Sequence, residues 1–382
     1  MSFFKKILGR DNNEGQSSKG IDLPWINPAD NPWGIKLLDL RPLTGVMIST
    51  SKDPGMARNA VSYGNEDGTT FWGQSPESER LINVNLKLPI DKTLEAGVLF
   101  TPNAMEHKWA IYFDGESLIF VRSWLRHVFV IAKTEQKDNE LLITEVAGEF
   151  TPGESVEFTR AVLNFLLISH SIGEIIPAPL PAELEANVKN AGLWAFSTYG
   201  NMAHIGIFDE QYLPTTKKVL CSHSLLHIAV ARGDINGIET QVQKGVGLNI
   251  PAGDGLAPLH WSIASETIES MKKLLDLGAD PNAKSIEGAT PLMNAVQSNK
   301  IDNVNTLLES GAQVNLQDNR GFTALHRASE MGLVDMVKIL LRNGADISIP
   351  AEGKHTALSL ATMTKQDEVI KLLNQIASSQ FG

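Results

Sequence analysis

Residues 321–332 read GFTALHRASEMG and hold His326, Ser329 and Glu330 within five positions. A base, a hydroxyl and a carboxylate are the parts of an acyl-transfer site. Other groupings invite the same test. Cys221, His223 and His227 have nearly the spacing of zinc ligands. Asp114 with Glu135-Gln136-Lys137 imitates the carboxylates and lysine of a metal-dependent nuclease. His107, Asp114, Arg122 and His127 would be the first suspects if the N-terminal half were an enzyme. The sequence has no G-x-S-x-G, no Walker-type phosphate loop and no dinucleotide-binding glycine pattern.

The elements that would position these residues decide between the readings, and the first is a repeat. SLLHIA begins at Ser224, APLHWS at Ala257, TPLMNA at Thr290, TALHRA at Thr323 and TALSLA at Thr356, each start 33 residues after the last. Gly245, Gly278, Gly311 and Gly344 keep the same step, as do Asn249, Asn282 and Asn315. Threonine followed by proline suits a helix N-terminus. Val334, Met336, Val337, Leu340 and Leu341 mark the apolar stripe of a second helix, and Gly344 is suited to end it. One helix pair cannot bury its own apolar face, so the units must stack.

This pattern resembles the ankyrin repeats over about residues 220–377. The resemblance implies an all-α solenoid with a domain at 216–382. It also implies that His227, His260 and His326 are framework residues tying helix starts to nearby backbone, so no catalytic residue is expected among His326, Ser329 and Glu330. Met293 and Ser359 replace that histidine, and Ala252, Ser285 and Ala351 replace the hairpin aspartate seen at Asp318. Ile376 stands where the last unit would have glycine, which reads as a C-terminal cap. Such stacks bind other proteins through hairpin tips and the inner face of the first helices. Carried over position by position, the expected contact residues are Ile286, Glu287 and Ala289 on one hairpin, and Asn319, Arg320 and Phe322 on the next. On the first helices they are Ala264, Ser265, Gln297, Ser298, Glu330 and Met331. Trp261 is expected in the core.

The N-terminal half does not repeat. Residues 1–20 are expected to be a flexible terminus, with FFKKIL a conceivable membrane-touching patch, followed by an α+β domain over 21–215. LINVNLKLPI alternates as a half-buried strand. KWAIYF and ESLIFVRSW flank Asp114-Gly115, a hairpin signal. RHVFVIAK and LLITEV extend the antiparallel meander across a polar turn, TEQKDNE. Thr151 to Glu154 reads as a capping box, Gly173 as a helix stop, Pro181 to Ser197 as a second helix and HIGIF as a last strand. Arg122 is expected to be a buried structural cation paired with a carboxylate, the alternative being a residue that lines a pocket. The short stretch 213–222 suggests a close junction.

Composition narrows the function. Residues 1–215 hold 18 Lys+Arg and 27 Asp+Glu (−9), and residues 216–382 hold 15 and 17 (−2), which sums to the chain's −11. Neither half offers the basic face that nucleic acid requires. One cysteine in 382 residues fits a reducing compartment. No apolar run is long enough to cross a membrane. The expectation is a cytoplasmic, non-catalytic protein-binding protein, with no metal and no cofactor. Its N-terminal domain would be a second binding, adaptor or immunity-like inhibitory surface of bacterial type. The alternative is an N-terminal enzyme or toxin-like domain targeted by the repeats.

Overall fold

The computed structural model describes residues 22–47, 66–91, 93–102, 104 and 106–380; the terminus 1–20 and its FFKKIL patch lie outside the described residues. Up to Ser224 the chain builds two sheets. The larger has seven antiparallel strands. β3 (Leu81–Pro89) lies at one edge beside β8 (Glu140–Gly148), followed by β7 (His127–Lys137), β6 (Ser117–Arg122), β5 (Trp109–Phe113) and β4 (Gly97–Phe100). β11 (His223–Ser224) closes the other edge. A smaller mixed sheet joins β1 (Trp25–Ile26), β2 (Leu37–Asp39), β10 (Ile205–Ile207) and β9 (Ala178–Pro179), with β10 and β9 parallel. A helical turn α1 (Arg41–Thr44), α2 (Val156–Leu166) and α3 (Val188–Tyr199) complete this α+β region.

Side-chain pattern explains the layering. In β3, Val84, Leu86 and Leu88 are buried while Asn83, Asn85 and Lys87 face solvent. β5 is instead buried along its whole length, as continuous apolar strands are when both faces are covered. On one face Trp109, Ile111 and Phe113 join α2 and α3 in the main core. On the other, Ala110 and Tyr112 pack with Phe71, Val98, Ile119, Val121 and Val128.

Three local expectations are corrected. The stretch Thr134–Lys137 is strand, and the turn is the pair Asp138-Asn139, both with positive φ. Lys133, Glu135 and Lys137 are exposed on the outer face of β7, and this polarity made a strand look like a loop. The helix cap is Ser155, whose Oγ accepts from Phe158 N at 2.9 Å. Glu154 closes a preceding turn by accepting from Phe150 N and Thr151 N, because Gly153 at φ 75° is outside helical geometry. Pro181 opens only a 3₁₀ turn, and α3 is capped by Asn187, whose side chain accepts from Asn190 N. Gly173 does stop the first helix, after a π-helical turn over Leu167–Ile172.

From Leu225 onward the described chain is helical. The pairs are α4 (Leu225–Arg232) with α5 (Ile235–Gln243), α6 (Pro258–Trp261) with α7 (Glu269–Asp276) and α8 (Pro291–Gln297) with α9 (Ile301–Glu309). α10 (Ala324–Glu330) with α11 (Val334–Arg342) and α12 (Ala357–Met363) with α13 (Asp367–Gln380) complete the stack. The N-caps are Ser224, Ala257, Thr290, Thr323 and Thr356, the five repeat starts. Gly245, Gly278, Gly311 and Gly344 have φ of 91°, 97°, 92° and 84°, where a side chain would be strained. At Ile376, α13 simply continues. One apolar core runs through all five pairs.

The two regions meet closely. Leu220 is buried and donates its N–H to Pro89 O at 2.8 Å, and Ser222 Oγ donates to Glu95 O at 2.8 Å. A Cβ at Gly97 would collide with the His223 carbonyl, so β4 and β11 can pair only with glycine there. Ile228 of α4 packs onto the second face of the large sheet, and Arg232 reaches Asp67 at 3.4 Å.

Candidate interaction surface

His326 is a structural clamp. Its Nδ1 accepts from Thr323 N at 3.1 Å, so Nε2 carries the proton and donates to His355 O at 3.2 Å. His227 Nε2 donates likewise to Leu256 O (3.1 Å) and His260 Nε2 to Ala289 O (3.0 Å). Each accepting carbonyl immediately precedes the next repeat start. Burial holds all three rings below the usual imidazole range, His227 at about 4, so they are neutral donors. Ser329 is fully buried in α10 beside Ala328, and Glu330 follows it at the helix end. Of the three, His326 is the side chain that joins one repeat to the next.

The other groupings do not converge on a common centre. Cys221 lies against Gly253 O, and the His223 ring stands edge-on to Trp261. Among the described residues no three His, Cys, Asp or Glu side chains form a metal-binding group. Asp114 folds its own turn by accepting from Glu116 N and Ser117 N. Glu135 and Lys137 are exposed on β7, whereas Gln136 turns inward to accept from Leu94 N at 2.6 Å. Among the described residues Arg122 has no carboxylate partner. Its guanidinium donates to the Ser197 and Thr198 carbonyls at the end of α3 and lies 4.9 Å from the Trp109 ring. A cation is favoured at a helix C-terminus, and burial draws Arg122 down only to about 10. His127 sits exposed beside Glu77, at the end of the sheet away from Asp114. Lys108 is buried over the Trp124 and Phe196 rings, and burial with the nearby Arg122 charge lowers it to about 7.

The stack presents a continuous surface. Neighbouring hairpins are joined through backbone: Ile286 N donates to Gly255 O, Asn319 N to Glu287 O and Glu352 N to Arg320 O. Asn249, Asn282 and Asn315 each accept from an N–H 31 residues ahead, at 3.0, 2.7 and 2.8 Å. Ile286 is 74% exposed at a hairpin tip, with Glu287 beside it. Asn319 is exposed, but its amide is engaged by Ile286 O; Arg320 pairs with Glu352 at 3.0 Å. Ala264, Gln297, Ser298 and Met331 are exposed in register, and Glu330 is half-buried.

Phe322 is buried against Ala351 and Leu360, with the Arg320 and Arg327 guanidiniums over its ring, so it supports the hairpin from inside. Ser265 is likewise buried, and Ala289 is half-buried with its carbonyl taken by His260. Trp261, expected in the core, is half-buried and donates to Asp254 Oδ2 at 2.9 Å. Met363, 64% exposed, was not anticipated. It lies 33 residues beyond Glu330, so the repeat step itself points to it.

Comparison with known families agrees with this geometry. Residues 226–318, 268–351 and 311–379 each match the family model for ankyrin repeats. The C-terminal region is therefore an ankyrin-repeat stack, a class of protein–protein interaction module, and the match does not extend into the sheet region. No curated protein matches the chain. No helix among the described residues is long and apolar enough to cross a membrane.

Proposed function

We propose that the protein is a non-catalytic, cytoplasmic binding protein whose repeat stack docks one protein partner along the hairpin tips and the inner ends of the first helices. The observation that carries this reading is the row Ala264, Gln297, Ser298, Met331 and Met363, exposed at matching places in four consecutive repeats, with Ile286 projecting beside it. Mixed apolar and neutral polar side chains on a rigid scaffold suit a protein interface better than a nucleic acid. The single cysteine agrees with a reducing compartment.

The N-terminal region, in this reading, steadies the first repeat and offers a second binding, adaptor or immunity-like inhibitory surface. What supports binding over catalysis there is the structural use already made of Arg122, Asp114 and His127. The test is affinity capture with the full chain, repeated with Met331→Asp and with an outer-helix control, Lys338→Ala. The reading requires the partner to be lost from the first variant and kept by the second. Equal capture by both would overturn it.

A further inference from the structure

One place on the inner face departs from the repeat. α6 stops at Trp261 after four residues, whereas α8, α10 and α12 each run for seven. Beyond His260 the backbone tightens: Ile263 N, Ala264 N and Ser265 N donate to the carbonyls of His260, Trp261 and Ser262, three residues back. Two sequence features account for this. Ser262 Oγ donates to Leu259 O at 2.7 Å, competing locally with regular helix. In the other repeats the first helix is followed by a left-handed residue, at Gly233, Asn299, Gly332 and Lys365 (φ 73°, 52°, 71° and 60°). The second repeat has Glu266 at that step, without a positive φ.

The shortened helix leaves a concavity of about 240 Å³ lined by His260, Ile263, Ala264, Asn294, Gln297 and Ser298. It is supported from behind, because Lys300 Nζ donates to the Ile263 and Ser265 carbonyls that the unwinding releases. The Asn294, Gln297 and Ser298 side chains have no hydrogen-bond partner among the described residues. His260 Nδ1 is also unpartnered, since Ala257 lacks the hydroxyl that Ser224 and Thr323 offer to the matching rings.

We propose that this notch is the specificity pocket of the docking surface and that it takes one unphosphorylated tyrosine side chain of the partner. The proposal rests on the docking function above and names what that surface selects. Three neutral amide and hydroxyl groups line the notch beside Ile263 and Ala264, and the nearby cation, Lys300, spends its hydrogen bonds on the Ile263 and Ser265 carbonyls. A charged side chain would find no counter-ion among the residues that line the notch. An aliphatic one would leave the polar groups unpaired. A phenol offers an apolar ring and a single neutral polar end, which meets both demands.

The experiment is a ¹H–¹⁵N titration of the full chain with N-acetyl-tyrosinamide, N-acetyl-leucinamide and N-acetyl-phosphotyrosinamide, repeated on Ala264→Leu. Ala264 is exposed, so leucine there fills the notch without entering the core. Expected are shifts centred on Ala264, Gln297 and Ser298 with the tyrosine probe. The other two probes are expected to bind roughly tenfold more weakly, and the Ala264→Leu variant to lose the response while its remaining spectrum is unchanged. A silent notch at probe saturation, or equal responses to all three probes, overturns the proposal. If the notch is silent while Met331→Asp still abolishes partner capture, the docking reading stands and only the tyrosine assignment falls.

Discussion

The two regions of the chain are held together over different sequence distances. In the stack each recurring tie reaches about one repeat: imidazole to carbonyl over 29 residues, asparagine to amide over 31. In the sheet region Trp109 donates to Thr198 O across 89 residues, and Leu81 of β3 pairs with Ala147 of β8. The stack is a series of near-identical local interfaces, so damage there should remain local. The sheet region is one cooperative body in which damage should spread. β11 and Ile228 join them, and the first repeat is the stack's most sheet-dependent member.

The sharpest contrast comes from two core truncations. Trp109 is fully buried with Phe129 and Phe150 edge-on to it. Trp109→Ala is expected to cost about 3–5 kcal/mol and to raise hydrogen exchange throughout the sheet region and in α4. Leu325→Ala, also fully buried, is expected to cost about 2–5 kcal/mol, with faster exchange confined to α8 through α13. If the second truncation also loosened the large sheet, the contrast between local and spread-out damage would fail.

Acid tests both regions together. Burial lowers His170 to about 3 and His227 to about 4, against 6.5 for a free imidazole. Between these limits the unfolded chain binds protons that the folded chain refuses, so stability is complete above pH 6.5 and falls below it. The loss is expected to be about 1.4 kcal/mol per pH unit for each such histidine. Urea midpoints between pH 7.5 and 5 measure it; a flat profile would show that these rings charge freely when folded. The smallest effect sharpens the comparison within the stack. Ala257→Thr would supply the missing cap and a partner for His260 Nδ1, and is expected to stabilise by about 1 kcal/mol, read as a raised Tm.

The same contrast explains what was legible in the sequence. The repeat starts, glycines and asparagines are local markers copied five, four and three times, and the copies set both register and the role of His326. The proposed contact positions were drawn from that register, which also leads from Glu330 to Met363. For Phe322 the sequence left an interface aromatic and a cover for its own hairpin equally open, and its burial against Ala351 and Leu360 fits the second. The notch escaped because it depends on where α6 stops, a balance between Ser262 and Glu266 that no spacing announces. In the sheet region β3, the Asp114 turn and Gly173 were readable, being local. The small mixed sheet was not, since it joins residues 25–39 to 178–207. Arg122's partners were hidden for the same reason, lying 75 and 76 residues away.

The most direct test of the docking claim is site-specific photocrosslinking of the full chain to its partner in the cell. A photoreactive residue is placed at Gln297 or Met331 on the inner face, at Lys338 on the outer helices, or at Leu81 on the sheet edge, all exposed positions. The account expects adducts with a single partner from Gln297 and Met331 and none from Lys338. Adducts from Leu81 or Lys338 with silent inner positions would contradict it.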